Sequence, residues 1–322
     1  MSVIEVKDLS KCYTITRNKK QWFRNLFMPQ KETVYAVKNI DLQIEKGASV
    51  GFIGPNGAGK STTIKMLTGI LEPSGGSVKV NGLSPSRQRK EYVRHIGVVF
   101  GNRSQLWWDL PVVDSFELFK EIYRIPSKLY KENLLLFSDI LDLSDIMSKP
   151  VRQLSLGQRM RCEIAASFLH DPQIVFMDEP TIGLDIIAKD KIRKFLTWLN
   201  QEKKVTLVVT SHDLADIVNV CRDLIVIDRG SIVFHDSMDK MADIHGRRRF
   251  IDVELSEEIV VSDDRIRMIS NQGKKKSFVI DLEEISIDAV ISQLSRNARI
   301  EDMNISSTPI EDIIKEIYSA KV

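Results

Sequence analysis

Residues 54–62 read GPNGAGKST, a complete G-x-x-x-x-G-K-[ST] loop, and this stretch decides the fold. It stands where an apolar run (Ala48, Val50, Phe52, Ile53) gives way to a helix-compatible segment, Thr63 to Leu67. Strand, glycine-rich turn and helix in that order make a phosphate cradle. The glycines let successive backbone N–H groups converge on one point, and the following helix adds the positive end of its dipole. Gly54, Asn56, Gly57, Ala58, Gly59, Lys60, Ser61 and Thr62 are therefore the expected nucleotide-binding residues. Lys60 suits the β and γ phosphates of a triphosphate, and Ser61 suits Mg²⁺. A plain glycine-rich turn is the bland alternative, and the motifs downstream are what exclude it.

Ile174, Val175, Phe176 and Met177 form a continuous apolar run, the pattern of a parallel strand buried on both faces. It delivers Asp178 and Glu179 to the strand's carboxyl end, where open α/β sheets bind ligands. Asp178 suits the Mg²⁺ shell, directly or through water, and Glu179 suits the polarising of an attacking water. Capping of the turn before Pro180 is the competing use of both acids. Val205 to Thr210 repeat the buried pattern and set His212 just beyond the same edge, within reach of a γ phosphate. His95, His170, His235 and His245 lie outside any motif and receive no role. Leu154 to Gln158 read LSLGQ and precede Met160, Ile164, Ala165 and Phe168, which recur at helical spacing. Ser155 and Gly157 thus open a helix whose first-turn N–H groups suit an anion, although a simple N-cap satisfies the same residues.

Taken in order, GPNGAGKST, LSLGQ, IVFMDE, Gly183-Leu184-Asp185 and Ser211-His212-Asp213 resemble the motifs of ATP-binding subunits of ABC transporters, over roughly residues 3–237. The resemblance implies an α/β fold: a P-loop NTPase (RecA-like) core with an antiparallel β subdomain and a helical subdomain at about 102–170. It also implies ATP and Mg²⁺ as ligands, with catalytic roles for Glu179 and His212. Two chains would sandwich two ATP molecules head to tail. Ser155, Gly157 and Gln158 of one would then meet the γ phosphate held by the other, with Asp185 at the same junction. Leu156 stands where the family more often has glycine. Tyr13 closes the phrase LSKCY after the strand Ile4 to Leu9, where the family stacks an aromatic ring on adenine; edge-strand packing is its other reading. The family's Mg²⁺-sensing glutamine, usually found just after the strand Val98 to Phe100, is missing from GNRSQLWWDLP. Gly101 occupies its place, Gln105 is the only glutamine nearby, and Asn102 is favoured for the role on the basis of a one-residue insertion. Trp107 and Trp108, ahead of a helical stretch from Asp114 to Tyr123, are read either as a docking surface for the membrane subunit or as rings buried in the helical subdomain.

At 322 residues the chain suits a large α/β domain over 1–238 and a small one over 249–322. In the latter, apolar alternation predicts three short strands, followed by helices at Ile287 to Leu294 and Pro309 to Tyr318. Thr308, Pro309 and Glu311 supply the second helix with an N-cap, an N1 proline and a capping-box partner. This α+β appendage resembles the C-terminal domain of drug-export and related ABC-2 type ATPases, which export drugs, antibiotics or polymers, and a regulatory or dimer-contacting role is expected. No stretch approaches 18 consecutive apolar residues, and the N-terminus enters a strand pattern without a signal peptide. A cytoplasmic protein, peripheral on the inner face of the membrane, is expected. Three scattered cysteines fit a reducing cytosol and no zinc. The net charge of +2 points to no partner. Arg17 to Lys31, however, join five cations and no acid to Trp22, Phe23, Leu26 and Phe27, a composition read as a lipid or permease contact, with nucleic acid as the competing partner and a solvated loop as the bland alternative. The expected function is ATP hydrolysis for an exporter, by a homodimer working with separately encoded membrane-spanning permease subunits and with no nucleic acid. An importer subunit and a soluble ABC ATPase are the rival readings.

Overall fold

The computed structural model describes residues 1–16, 31–101, 103–245, 248–259, 261, 263–307, 310 and 313–314. The basic and aromatic segment 17–30, Asn102 and most of the helix expected at 309–318 lie outside the described residues. The chain divides into two compact units, Met1–His235 and Asp236–Val322.

From the N-terminus the first strands are β1 (Ser2–Thr16), β2 (Lys31–Glu45), β3 (Ser49–Ile53), β4 (Gly75–Val80) and β5 (Ile96–Phe100). They are followed by β6 (Ile174–Asp178), β7 (Thr206–Thr210), β8 (Asp223–Asp228) and β9 (Ser231–Ser237). Six of these form one sheet in the order β5-β6-β7-β3-β8-β9, whose first five members run parallel. Residues 174–177 of β6 are fully buried, as the unbroken apolar run requires, and each such side chain contributes about 2 kcal/mol by leaving water. Because the strands are parallel, the residues that follow β3, β6 and β7 emerge at one edge.

The second sheet is antiparallel, in the order β2-β1-β4. Pairing of β1 with β4 stops at Ser10 and Gly75, whereas pairing with β2 continues to Thr16 and Lys31. The strand expected at Ile4 to Leu9 is therefore longer: its cross-strand partners carry it through Ser10 and Lys11, where the polar sequence reads as an end. Helix α1 (Lys60–Leu67) follows β3, and α2 (Arg89–Tyr92) is tied to it by the Tyr92 hydroxyl, which donates to the Leu67 carbonyl at 2.6 Å. Between β5 and β6 lie α3 (Val112–Tyr123), α4 (Ser127–Ile140) and α5 (Leu156–Phe168). Helix α6 (Ile186–Glu202) precedes β7, and α7 (Leu214–Val220) precedes β8. Phe137, Phe168 and Phe195 lock α4, α5 and α6 together edge to face, with ring centroids 5.3–6.5 Å apart.

The second unit contains α8 (Met238–His245), β10 (Arg248–Leu255), β11 (Ile266–Gln272), β12 (Lys275–Asp281), α9 (Ile287–Asn297) and β13 (Ile300–Ser307). Its sheet is antiparallel, in the order β11-β12-β10-β13. Ile251, Val253, Leu255, Phe278 and Ile280 point inward at period 2 and share a core with Val290 and Leu294 of α9. The sheet has a fourth strand, β13, beyond the three expected. A register shift at Glu254/Leu255 and the irregular spacing of Ile300, Met303 and Ile305 conceal it in the sequence. Among the described residues no helix is long and apolar enough to cross a membrane.

Candidate nucleotide site

The loop from Gly54 to Gly59 leaves β3 and enters α1 through Gly59, whose φ of 111° excludes a side chain on conformation alone. A Cβ there would also stand 2.6 Å from the Ala36 carbonyl oxygen. Among the described residues, the backbone N–H groups of Gly57, Gly59, Lys60, Ser61 and Thr62 donate to no protein acceptor, so the turn presents a row of free donors. Lys60 is buried, and its ammonium donates to the Gly54 carbonyl at 2.6 Å and the Pro55 carbonyl at 3.3 Å. Burial pulls the Lys60 pKa below the ordinary lysine value, and the charges of Glu179 and Asp178 partly oppose that shift.

Ser61 Oγ donates to Asp178 Oδ1 at 2.9 Å, joining two of the expected metal-binding residues across the sheet edge. Thr210 Oγ1 donates to the same carboxylate oxygen at 2.6 Å. One carboxylate and one hydroxyl form a partial oxygen shell of the kind Mg²⁺ completes with phosphates and waters, so these residues fit that ion. Glu179 has a left-handed backbone, φ 55°, held by its N–H donating to the Thr210 carbonyl and hydroxyl, each at 3.1 Å. Such a conformation costs about 1–2 kcal/mol for a residue with a Cβ, and it aims the side chain out of the strand direction. The Glu179 carboxylate meets His212 Nδ1 at 2.6 Å. Lys60, Ser61, Asp178, Glu179 and His212 thus converge, and Thr210, which the sequence reading missed, holds both acids. Its only sequence signal is its place at the end of β7, where it pairs with Asp178.

The remaining expected residues gather elsewhere. Ser155 caps α5 in a full capping box: its hydroxyl accepts from Gln158 N–H at 3.2 Å, and the Gln158 side-chain oxygen accepts from Ser155 N–H at 2.9 Å. A Cβ on Gly157 would lie 3.1 Å from Ala188 Cβ, and one on Gly183 would lie 3.1 Å from Leu156 Cδ2. Asp185 caps α6 by accepting from Ala188 N–H at 2.8 Å. LSLGQ and the Gly183–Asp185 turn are therefore one surface, joined within the chain, and none of these contacts reaches the Gly54–Thr62 loop. Tyr13 lies on the β1–β2 ribbon, 45% exposed, with the Lys11 ammonium 5.5 Å from its ring centre.

Gly101 N–H donates to the Asp178 carbonyl at 2.8 Å, and a Cβ on it would stand 2.1 Å from the Glu179 carbonyl oxygen, so no larger residue fits. Asn102, the favoured metal-sensing residue, lies outside the described residues. The Gln105 amide donates to the Glu163 carbonyl at 3.1 Å. Trp107 packs on Phe119 with centroids 5.5 Å apart, and Trp108 lies under the Arg159 guanidinium; both stay more than a third exposed.

A family model described as ABC transporter matches residues 37–182. "ABC transporter ATP-binding protein NatA" of Bacillus subtilis is 33% identical over 215 residues, which are 67% of this chain and 87% of that protein. The chain belongs to the ATP-binding proteins of ABC transporters. An uncharacterised ABC transporter ATP-binding protein of B. subtilis, YhcH, is 28% identical over 283 residues, or 87% of this chain and 90% of that one. Among solved structures, the ATP-binding cassette MJ0796 in a dimeric post-hydrolysis state with ADP and Pi aligns with a TM-score of 0.61 at 27% identity, covering 73% of this chain and 98% of that one. These likenesses agree with the P-loop NTPase architecture of this ABC ATPase: a parallel sheet beside an antiparallel one.

Proposed function

We propose that the chain hydrolyses ATP as a head-to-tail dimer and thereby drives a membrane permease, in the export direction. The observation that carries this reading is the convergence of Lys60, Ser61, Asp178, Glu179 and His212 at one sheet edge. The free amides and Lys60 hold the phosphates, and Ser61 and Asp178 hold Mg²⁺, which neutralises phosphate charge when bound. Glu179 orients the attacking water and takes up its proton, while His212, bonded to Glu179, faces the γ phosphate. Among the described residues the hydrogen bonds of Ser155, Gln158 and Asp185 stay within their own surface and do not run to the Gly54–Thr62 loop, which supports their service to a second copy. Leu156, Ile182, Ile186 and Ile187 are exposed beside them, and apolar side chains left bare around a site suit a surface that another chain covers. Export rests on the resemblance, in sequence, of the LWWDLP segment, the basic 17–31 segment and the C-terminal unit together to exporters of drugs, antibiotics or lipid-linked polymers. A peripheral position on the inner membrane face follows from the permease partnership.

Glu179→Gln tests the reading directly. It should bind MgATP, lose at least about a hundredfold in turnover and elute as an ATP-dependent dimer on size exclusion. A monomer at every protein concentration sinks the head-to-tail model. Export is checked by transport in vesicles containing the permease: cargo entering inside-out vesicles on ATP addition is expected, and cargo leaving them reverses the assignment.

A further inference from the structure

Glu163 is a carboxylate only 3% exposed, two turns along α5 from Ser155. One of its oxygens accepts from the Ser104 hydroxyl and the other from Gln105 N–H at 3.1 Å. The Gln105 amide donates to the Glu163 carbonyl at 3.1 Å, and Ser104 Oγ accepts from Leu106 N–H at 3.2 Å. One turn earlier, Arg159 stands 5.8 Å over the Trp108 ring. Positions 159 and 163 are four apart and share a helix face, so α5 is fastened at two points to the segment 104–108. Burial pushes the Glu163 carboxyl up, while its bonds to Ser104 and Gln105 oppose that shift. An apolar side chain would fill the same space without burying a charge, so the acid calls for a reason other than packing.

That reason lies in what the two ends of the clamp touch. Arg103, Ser104, Gln105 and Glu163 form one wall of a cavity of about 300 Å³, with Arg89 and Tyr123 also in its lining. Ser155, with the LSLGQ amides, caps the N-terminus of α5. Glu163 lies eight positions along the chain from Ser155, roughly 12 Å of a stiff rod. Since a packed interior leaves little room to deform, a shift of the cavity wall moves the helix as a body.

We propose that Glu163 is a positioning residue that clamps the Ser104–Gln105 cavity wall to α5 and so sets the aim of Ser155 and the first-turn amides at the ATP held by a second copy of the chain. This rests on the head-to-tail reading above. Loosening the clamp leaves the Gly54–Thr62 loop intact, so binding of nucleotide and assembly around it separate.

The test uses the full chain carrying Glu179→Gln, with MgATP affinity and ATP-driven dimerisation measured side by side. Adding Glu163→Ala should change affinity less than about threefold while raising the protein concentration needed for the dimer at least about tenfold. Without Glu179→Gln, the same substitution should lower kcat about tenfold with KM moved less than about threefold. Ser104→Ala should act in the same direction, and the double variant should be no worse than Glu163→Ala alone, because both remove one contact. Glu163→Gln, which keeps an accepting oxygen, should recover part of the loss. A lower Tm with dimerisation and kcat unchanged would reduce Glu163 to packing and overturn the assignment. If Glu163→Ala does not fold, unchanged dimerisation in Ser104→Ala and Glu163→Gln overturns it equally. Absence of a dimer with Glu179→Gln alone overturns the head-to-tail reading and this inference with it; a dimer that Glu163→Ala leaves untouched overturns the inference alone.

Discussion

Thr210 shows how much of the site depends on one buried hydroxyl. Its proton goes to Asp178 and its lone pair takes the Glu179 N–H, so a single side chain aligns both acids. Thr210→Val keeps the shape and removes both bonds. The Glu179 N–H still has the Thr210 carbonyl and Asp178 still has Ser61, so the fold should survive. Loss of one such bond is worth about 1–1.5 kcal/mol, which converts to roughly tenfold in rate if it acts on the transition state. We expect kcat for ATP to fall about tenfold and the ATP dissociation constant to move less than about threefold, with Thr210→Ser close to the parent. Steady-state ATPase assays with a parallel nucleotide titration decide it, and an unchanged kcat would remove Thr210 from the mechanism. None of this is legible in VTLVVTSHD, because a threonine at a strand end carries no mark of the carboxylate beside it in the sheet.

At the scale of elements, α6 serves as the bolt for the two loops that carry Glu179 and His212. Lys189 and Arg193, four residues apart on one face, reach Asp213 and Asp216 at the start of α7; Lys189 Nζ is 2.6 Å from Asp213. Asp216 is buried and also accepts from Thr181 Oγ1, two residues past Glu179. Arg193→Met leaves that carboxylate short of its main partner and should destabilise the protein by roughly 3 kcal/mol, read from urea or thermal unfolding. The Lys189–Asp213 pair is more open, and its effect is smaller and pH-dependent. The Lys189 hydrogen bond holds the Asp213 carboxyl below its usual range, so the stability it gives is present above about pH 4 and is lost as pH falls through the lowered value. The Asp213 hydrogen bond raises Lys189, so that contribution is present below about pH 10 and is lost as pH rises through the raised value. Lys189→Met should therefore cost up to about 1 kcal/mol at pH 7, with the gap to the parent narrowing as pH falls below about 4. A gap that stays constant with pH would exclude the ion pair as its source.

The whole molecule is two units with separate apolar cores, one built around residues such as Phe52, Ile64, Phe176 and Ile225 and the other around Ile251, Phe278 and Leu294. Every residue of the nucleotide site belongs to the first. A chain ending at Met238 should therefore keep MgATP binding within a few-fold of the full chain, measured by fluorescence titration or calorimetry. A truncated chain that is soluble and folded yet binds no ATP would show that the first unit needs the second. Regulation or dimer contact is the role proposed for the second unit, and a change in dimer affinity on truncation with binding retained is the expected sign.

The parts of this protein that its sequence determined are those in which a short stretch of backbone does the work. The Gly54–Thr62 turn needs glycines at fixed places because its path excludes side chains, and the strand before Asp178 needs an unbroken apolar run because both its faces are covered. Residue type and spacing alone record such demands. The pairings are different. Ser61 meets Asp178 across 117 positions, and Ser104 meets Glu163 across 59. Thr210 reaches the acids because β7 lies between β6 and β3 in matching register. A polar side chain carries its donors and acceptors but not the identity of its partner; strand order, register and helix packing supply that. Only the tertiary structure could therefore show that Thr210 aligns the acids, that Asp216 ties their loops to α6, and that the Gln105 amide bonds the Glu163 carbonyl.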